Sequence, residues 1–360
     1  PLLRAEIIQH VADIFEKESS DAWYSRTVSE LLPEDTRCGC GSAEFKKESD
    51  ILDVWFDSGS SHAVVLGKKK GLGWPADVYL EGGDQYRGWF HSSLLIGVAV
   101  RNAAPYGTVI CNGWTLDAEG HAMSKSRGNV ISPLDVMKTN GAEILRLWVS
   151  SINFTEDVRL KEETLSRLRE AYRKIRNTNR FLLANLYDFD LKKNFSDKNL
   201  TELDRWALAR MAAVAQQVKE AYQKFEFHTA YHTLYNFCVV DLSNFYLDVL
   251  KDRLYVSAPD SPLRQYSQMV MFKILNTLVR LLAPILPFTC EEIWMNLYQD
   301  ERPTESVHMA EFSTGISTYQ NDALLHRWQR LLEIRSMIRK CLEESRQKKE
   351  IGNSLQAMVH

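Results

Sequence analysis

An α/β region followed by an all-α region is the fold class this sequence predicts, and three observations predict it. Strand-like runs alternate with helical spacing between about residues 50 and 150, strand signals vanish from about 160 onward, and six later segments carry helical apolar periodicity. With 360 residues the chain exceeds one ordinary core. A prior of roughly 150 residues per domain implies two or three domains.

Residues 1–48 read as a connective module. Glu6, Ile7, Val11, Ile14 and Phe15 fit a short amphipathic helix, and Pro33, Gly39 and Gly41 mark turns. Residues 49–160 carry the α/β texture. Ile51 to Phe56 is a strand-like run, and Asp57-Ser58-Gly59-Ser60 reads as the turn and helix cap after it. Asp77 to Leu80 is a second strand, followed by Glu81-Gly82-Gly83-Asp84, and Tyr86 to Val100 is a helix. Thr108 to Cys111 is a third strand, leading through Gly113 into a polar loop at 117–129; Ser132 caps a helix with Pro133 at its first position. This alternation implies a mostly parallel sheet, with ligands at the carboxyl ends of its strands. Residues 161–350 read as an antiparallel helical bundle. Its helical stretches are Leu160–Leu186, Leu203–Phe225, Thr229–Tyr255, Leu263–Leu282, Cys290–Tyr298 and Ala323–Lys349, with Pro284 and Pro287 breaking one run. Ile351-Gly352-Asn353-Ser354 ends the last helix, and 351–360 begins an extension.

The net charge of −3 does not announce nucleic-acid binding, which requires a local basic face on a near-neutral body. The cluster Tyr172 to Arg180 supplies one: Arg173, Arg176 and Arg180 fall at i, i+3 and i+7 on one helix face. Of the six cysteines Cys38 and Cys40 are close together and Cys111, Cys238, Cys290 and Cys341 are scattered, which is not a disulfide framework and implies a reducing, cytoplasmic setting. Cys38-Gly39-Cys40-Gly41 looks like a shortened zinc knuckle, but a structural zinc takes four ligands and no second close pair is visible. Cys38 and Cys40 therefore read first as thiols in a turn, with zinc as the weaker alternative if the fold brings His10 and His62 near. No apolar run approaches the ~20 residues of a membrane span. Pro1-Leu2-Leu3-Arg4 is not a signal peptide, and an abrupt start of this kind suggests a trimmed or incomplete chain.

The polar loop carries the chemistry. Ala122-Met123-Ser124-Lys125-Ser126-Arg127-Gly128-Asn129 holds one lysine between two serines and closes on glycine. Such a loop can wrap a polyphosphate, with Lys125 supplying charge and N–H groups and hydroxyls supplying hydrogen bonds. A lone Ser-Lys-Ser triplet is ordinarily a solvated loop. Ala122 to Ser126, however, resembles the Lys-Met-Ser-Lys-Ser motif of class I aminoacyl-tRNA synthetases, with Gly128-Asn129 following as in that family. The resemblance implies the C-terminal half of a Rossmann-like catalytic domain followed by a helical anticodon-binding domain. It implies catalytic roles for Lys125, Ser124 and Ser126, and nucleotide contacts from Gly113, Met123 and Lys125. Where the family has its first lysine this chain has Ala122, which predicts a lower charge on the ATP side.

Two segments resemble the isoleucine branch of that family: Asp53-Val54-Trp55-Phe56-Asp57-Ser58-Gly59 and Glu81-Gly82-Gly83-Asp84-Gln85-Tyr86-Arg87-Gly88-Trp89-Phe90. Carboxylates such as Glu81 or Asp84 can anchor ribose hydroxyls or an ammonium, Gln85 donates and accepts without charge, and the glycines admit close backbone approach. The resemblance implies that Glu81, Asp84 and Gln85 bind ATP or the adenylate, and that Trp55 and Trp89 line the pocket for a branched side chain. An aromatic wall separates isoleucine from valine poorly, since one methylene is worth only ~1–3 kcal/mol. The family adds an editing domain, which this sequence does not contain. Tyr172-Arg173-Lys174-Ile175-Arg176-Asn177-Thr178, Leu242 to Asp248, Leu282 to Phe288 and the closing Ile351 to Leu355 resemble the same enzymes. The implied cofactors are ATP with Mg2+, and zinc in a full-length protein. The implied partners are isoleucine and isoleucine tRNA, without a membrane, in a monomer. The family's His-x-Gly-His segment does not occur here, so this chain alone is expected to be folded but nearly inactive. The rival reading is a non-catalytic tRNA-binding module or the split half of a synthetase; the valine and leucine enzymes are a further alternative.

Overall fold

A computed structural model describes residues 2–193, 195–298, 302–312, 315–353 and 356–358. Within the expected C-terminal extension, Ser354 and Leu355 lie outside the described residues. The chain divides into two compact units: Pro1–Tyr79 with Asp84–Ile110, and Leu80–Gly83 with Cys111–His360.

The first unit opens with α1 (Ala5–Glu18), α2 (Ala22–Ser25) and α3 (Val28–Leu31). The amphipathic spacing buries Ile7 of α1, and Thr27 and Glu30 form a capping box that starts α3. The strand expected over Ile51 to Phe56 is instead the start of a helix, α4 (Val54–Lys68). The Asp53 carboxylate accepts the Trp55 N–H at 2.8 Å and caps it. Asp57-Ser58-Gly59-Ser60, expected as a turn, lies inside that helix. Gly59 is there for packing: a Cβ would stand 2.8 Å from the Ser92 side chain. Ser92 belongs to α5 (Trp89–Arg101), which follows β1 (Ala76–Gly82) and precedes β2 (Tyr106–Asn112). The strands β1 and β2 pair in a two-stranded sheet, and Ala76 N–H donates to Pro105 C=O at 2.9 Å where both begin.

The second unit contains β3 (Thr115–Leu116), α6 (Pro133–Asn140), α7 (Ala142–Ser151) and β4 (Val158–Arg159). The strands β3 and β4 pair in parallel, Thr115 with Val158 and Leu116 with Arg159. The sheet is thus present as two small ladders among the described residues. The bundle comprises α8 (Glu162–Ala184), α9 (Glu202–Gln223), α10 (Phe227–Asn236), a π-helical segment (Phe237–Tyr246), α11 (Leu247–Tyr255), α12 (Pro262–Leu282), α13 (Pro287–Tyr298) and α14 (Asp322–Gln347). The stretch expected as one helix over Thr229 to Tyr255 therefore changes its winding for ten residues. Pro287 starts α13, as the proline pair required.

One contiguous core runs from Val136 to Ile316, with Leu147, Phe237, Tyr246 and Trp294 essentially inaccessible to water. Its polar centre is Asp204, fully buried, which accepts from the Tyr246 hydroxyl at 2.8 Å and from Arg253 at 3.1 and 3.2 Å. Burial beside this carboxylate pushes the Tyr246 phenol well up. The second helix after the polar loop, α7, also grips the break between α12 and α13. Glu143 of α7 accepts the Thr289 N–H at 2.8 Å, and Arg146 donates to the carbonyls of Pro284 and Ile285 at 2.6 and 3.1 Å. An acid on a helix N-terminus and a base on free helix-end carbonyls is the favourable polarity.

Candidate nucleotide loop and aromatic pocket wall

The polar loop is held by a polar staple. The Asp117 carboxylate, buried at the end of β3, accepts from Asn129 Nδ2 at 2.8 Å and from the His121 N–H at 2.7 Å. The amide of Asn129 also accepts the Ser124 N–H at 2.9 Å and donates to the Ala122 carbonyl at 3.2 Å. The side-chain bond from Asn129, then the His121 backbone bond, hold the Asp117 carboxyl below the usual range. Between the staple's ends, Lys125–Arg127 makes one 3-10 turn. Ser124 Oγ accepts the Arg127 N–H at 3.3 Å and lies 3.2 Å from Ser126 Oγ. Gly128, at φ +68°, ends the turn in a conformation that favours glycine. Lys125 is exposed, and Met123 packs against the core. The arrangement presents a cation and two hydroxyls from a fixed base.

Gly113, expected at the nucleotide, has a packing reason as well. A Cβ there would lie 2.3 Å from the backbone of Glu156. Glu81 is exposed and belongs to the second unit, whereas Asp84 and Gln85 belong to the first.

In the first unit, Trp89 is immobilised on three sides. Its ring stacks on Tyr79 at 4.2 Å and 7°, and its Nε1–H donates to Ser58 C=O at 3.0 Å and Ser61 Oγ at 3.2 Å. The Gln85 side chain accepts the Trp89 N–H at 3.0 Å, capping α5, and lies 3.3 Å from Asp84. Gly88 explains how Trp55 comes close: a Cβ there would stand 2.8 Å from the Trp55 ring and 2.6 Å from Gln85 Oε1. Trp55 itself is 45% exposed. The structure thus brings Trp55, Gln85 and Trp89 together as one wall with a free aromatic face.

Arg173, Arg176 and Arg180 do lie along one exposed face of α8. Arg173 is paired with Glu170 at 2.5 Å and Arg176 lies 3.7 Å from Glu292. Cys38 and Cys40 sit in a tight turn closed by the Gly41 N–H on the Cys38 carbonyl at 2.8 Å. The N–H of Cys40 lowers the Cys38 thiol from its usual range. No group of three or more metal-ligating side chains occurs among the described residues, and two sulfurs do not make a four-ligand zinc site.

Sequence reasoning missed the staple and the stack. Asn129 stood in the motif without a role. The only signal for Asp117 was its place before the Gly120 turn, and Tyr79 was an ordinary strand residue.

Comparison with known proteins agrees with this layout. Residues 2–161 match the model described as tRNA synthetases class I (I, L, M and V), and residues 204–360 match the anticodon-binding domain of tRNA ligase. The chain thus contains a segment of the class I tRNA synthetase type followed by an anticodon-binding domain. Within that class it is similar to proteins named isoleucine–tRNA ligase. It is 50% identical to that of Caldicellulosiruptor saccharolyticus over 99% of this chain and 39% of the relative. It is 51% identical to that of Syntrophotalea carbinolica over 99% of this chain and 38% of the relative. The chain thus spans under two fifths of the length of these relatives. Among solved structures, the agnB2 LeuRS of Agrobacterium radiobacter in ternary complex with tRNA and LeuAMS shares the fold. Its TM-score is 0.62 at 20% identity, covering 81% of this chain and 35% of that one.

Proposed function

We propose that this chain forms part of a longer isoleucine–tRNA ligase, in which the isoleucine carboxylate attacks the α-phosphate of ATP to give an adenylate and pyrophosphate, and the isoleucyl group then passes to a hydroxyl of isoleucine tRNA with release of AMP. The observation that carries this reading is the stapled loop with its exposed Lys125, in a chain half identical to isoleucine–tRNA ligases. In this reading Lys125 faces the triphosphate and stabilises the charge that develops there when the amino-acid carboxylate attacks, with Ser124, Ser126 and the backbone at Met123 orienting it. The loop fits an anion because its buried carboxylate, Asp117, already receives Asn129 and His121. Mg2+ would enter as part of the MgATP substrate and would supply charge neutralisation at the phosphates, with Lys125 the residue of this chain facing them. The family resemblance assigns Asp84 and Gln85 of the first unit, and Glu81 and Gly113 of the second, to nucleotide recognition, and Trp55 and Trp89 of the first to the isoleucine side chain. The helical half takes tRNA, with Arg173, Arg176 and Arg180 as phosphate contacts. All six cysteines are free, which supports a reducing cytoplasmic setting. No helix among the described residues is long and apolar enough to cross a membrane.

Amino-acid-dependent ATP–pyrophosphate exchange tests this. In the longer protein, isoleucine should lead leucine widely and valine by a modest margin. The isolated chain should show almost no exchange. Equal exchange with leucine, or normal exchange by the isolated chain, would overturn the reading.

A further inference from the structure

The helix α14 buries no residue completely, yet one side of it forms a wall of a cleft of about 760 Å3. The opposite wall is the π-helical segment, through Val240, Asp241, Asn244 and Phe245. Ten residues of π-helix is an unusual length, and such winding is concentrated at functional sites. The charges in the cleft are unequal. Asp241 is already bonded to Arg210 at 2.9 Å, and Glu343 to Arg346 at 2.5 Å. Arg335 lies over the Phe245 ring at 4.9 Å and donates to the Asn244 carbonyl at 3.2 Å. Arg339 and Lys340 have no ion pair among the described residues; Asp248, whose field reaches Arg335 and Arg339, is bonded to Lys251 at 2.8 Å. Desolvation and the neighbouring Arg339 lower Arg335 from its usual pKa. Four cations thus line the cleft; Arg346 is taken up by Glu343 within it and Asp241 is held by Arg210, which leaves Arg335, Arg339 and Lys340 without an ion pair among the described residues. On the α8 face the reverse holds, since Arg173 and Arg176 carry carboxylate partners.

We infer that this cleft seats the sugar-phosphate backbone of an RNA, with Arg335, Arg339 and Lys340 contacting consecutive phosphates and the π-helical wall setting the width. The inference rests on the reading of tRNA as a partner, and adds the place where its backbone lies. Arg335 and Arg339, at i and i+4, share one helix side and Lys340 stands roughly 100° further round, so the three cations border the cleft over an arc, which suits contact with phosphates and does not read bases.

The test is binding of an isoleucine tRNA transcript to the whole chain, followed by fluorescence anisotropy across a KCl series. The variants are Arg339→Gln with Lys340→Gln, and a charge-preserving pair, Arg339→Lys with Lys340→Arg. The neutral pair should weaken binding about tenfold at physiological salt and reduce the slope of log K against log salt by about 2. The charge-preserving pair should keep the slope, and both should melt with the parent by circular dichroism. If the parent binds and the neutral pair leaves the slope unchanged, the cleft assignment is wrong while tRNA binding stands. If the parent does not bind the transcript at all, the tRNA reading itself fails and takes the cleft with it. If poly-glutamate of matched charge competes as well as the transcript, the cleft belongs to an acidic protein segment.

Discussion

The two units treat apolar residues in opposite ways. The second collects its own into one core from Val136 to Ile316, closed around Asp204, Tyr246 and Arg253. In the first, Ile7, Ala22, Leu31, Tyr79 and Phe90 are buried, while Ile51, Leu52, Val54, Trp55, Phe56 and Val100 stay exposed. Helical periodicity is present in both, so periodicity alone did not decide burial. What differs is the supply of partners. A bundle of long helices offers most apolar stripes a facing stripe, α14 being the exception, whereas α4 and α5 mainly face each other. Contiguous exposed apolar surface is characteristic of binding surfaces. The second unit is therefore expected to resist unfolding through its core, and the first to reveal its substitutions in ligand binding.

The largest test is Asp204→Ala. It leaves Arg253, 18% exposed, without its buried partner, and should cost about 3–5 kcal/mol in denaturant unfolding of the second unit. A change below 1 kcal/mol would break the contrast. Next is Lys125→Ala in the longer protein, which should lose roughly 3–4 kcal/mol of transition-state stabilisation in pyrophosphate exchange with an unchanged melting temperature. Normal exchange would remove the role given to the loop. Trp55→Ala follows: because the ring is 45% exposed, stability should hardly move, while the KM for isoleucine should rise by the equivalent of about 1–3 kcal/mol. A stability loss without a KM change would make it a packing residue. The smallest effect is the pH response of the staple. The folded pKa of Asp117 lies below its unfolded value, so its contribution is complete above the ordinary Asp range and is lost as pH falls through the lowered folded value. Hydrogen exchange at the Ser124 amide, which bonds Asn129, should accelerate only in that acid window. Ala122→Lys should be neutral or mildly favourable to exchange.

The helical half was legible because long amphipathic segments carry many consistent positions, and each expected stretch after 160 corresponds to helix. Residues 51–60 were not. A β-branched and aromatic run suits a buried strand, but the Asp53 cap and the approach of Gly59 to Ser92 made it a helix, and both depend on what packs alongside. The loop itself was recognisable from Met123 to Asn129, since a motif is a property of residue types in order. The bond between Asp117 and Asn129 was not, because two residues twelve apart meet only once the intervening backbone has turned.

By itself, then, the sequence determined the class, the helical half and the residue types that carry the chemistry. These rest on local pattern, which each segment carries alone. The tertiary structure decided which carboxylate closes the loop, which faces of Trp55 and Trp89 stay free, and which basic helix faces are already neutralised. Those depend on distances between segments remote in the chain, and hydrogen bonds and ion pairs fall off within a few ångströms.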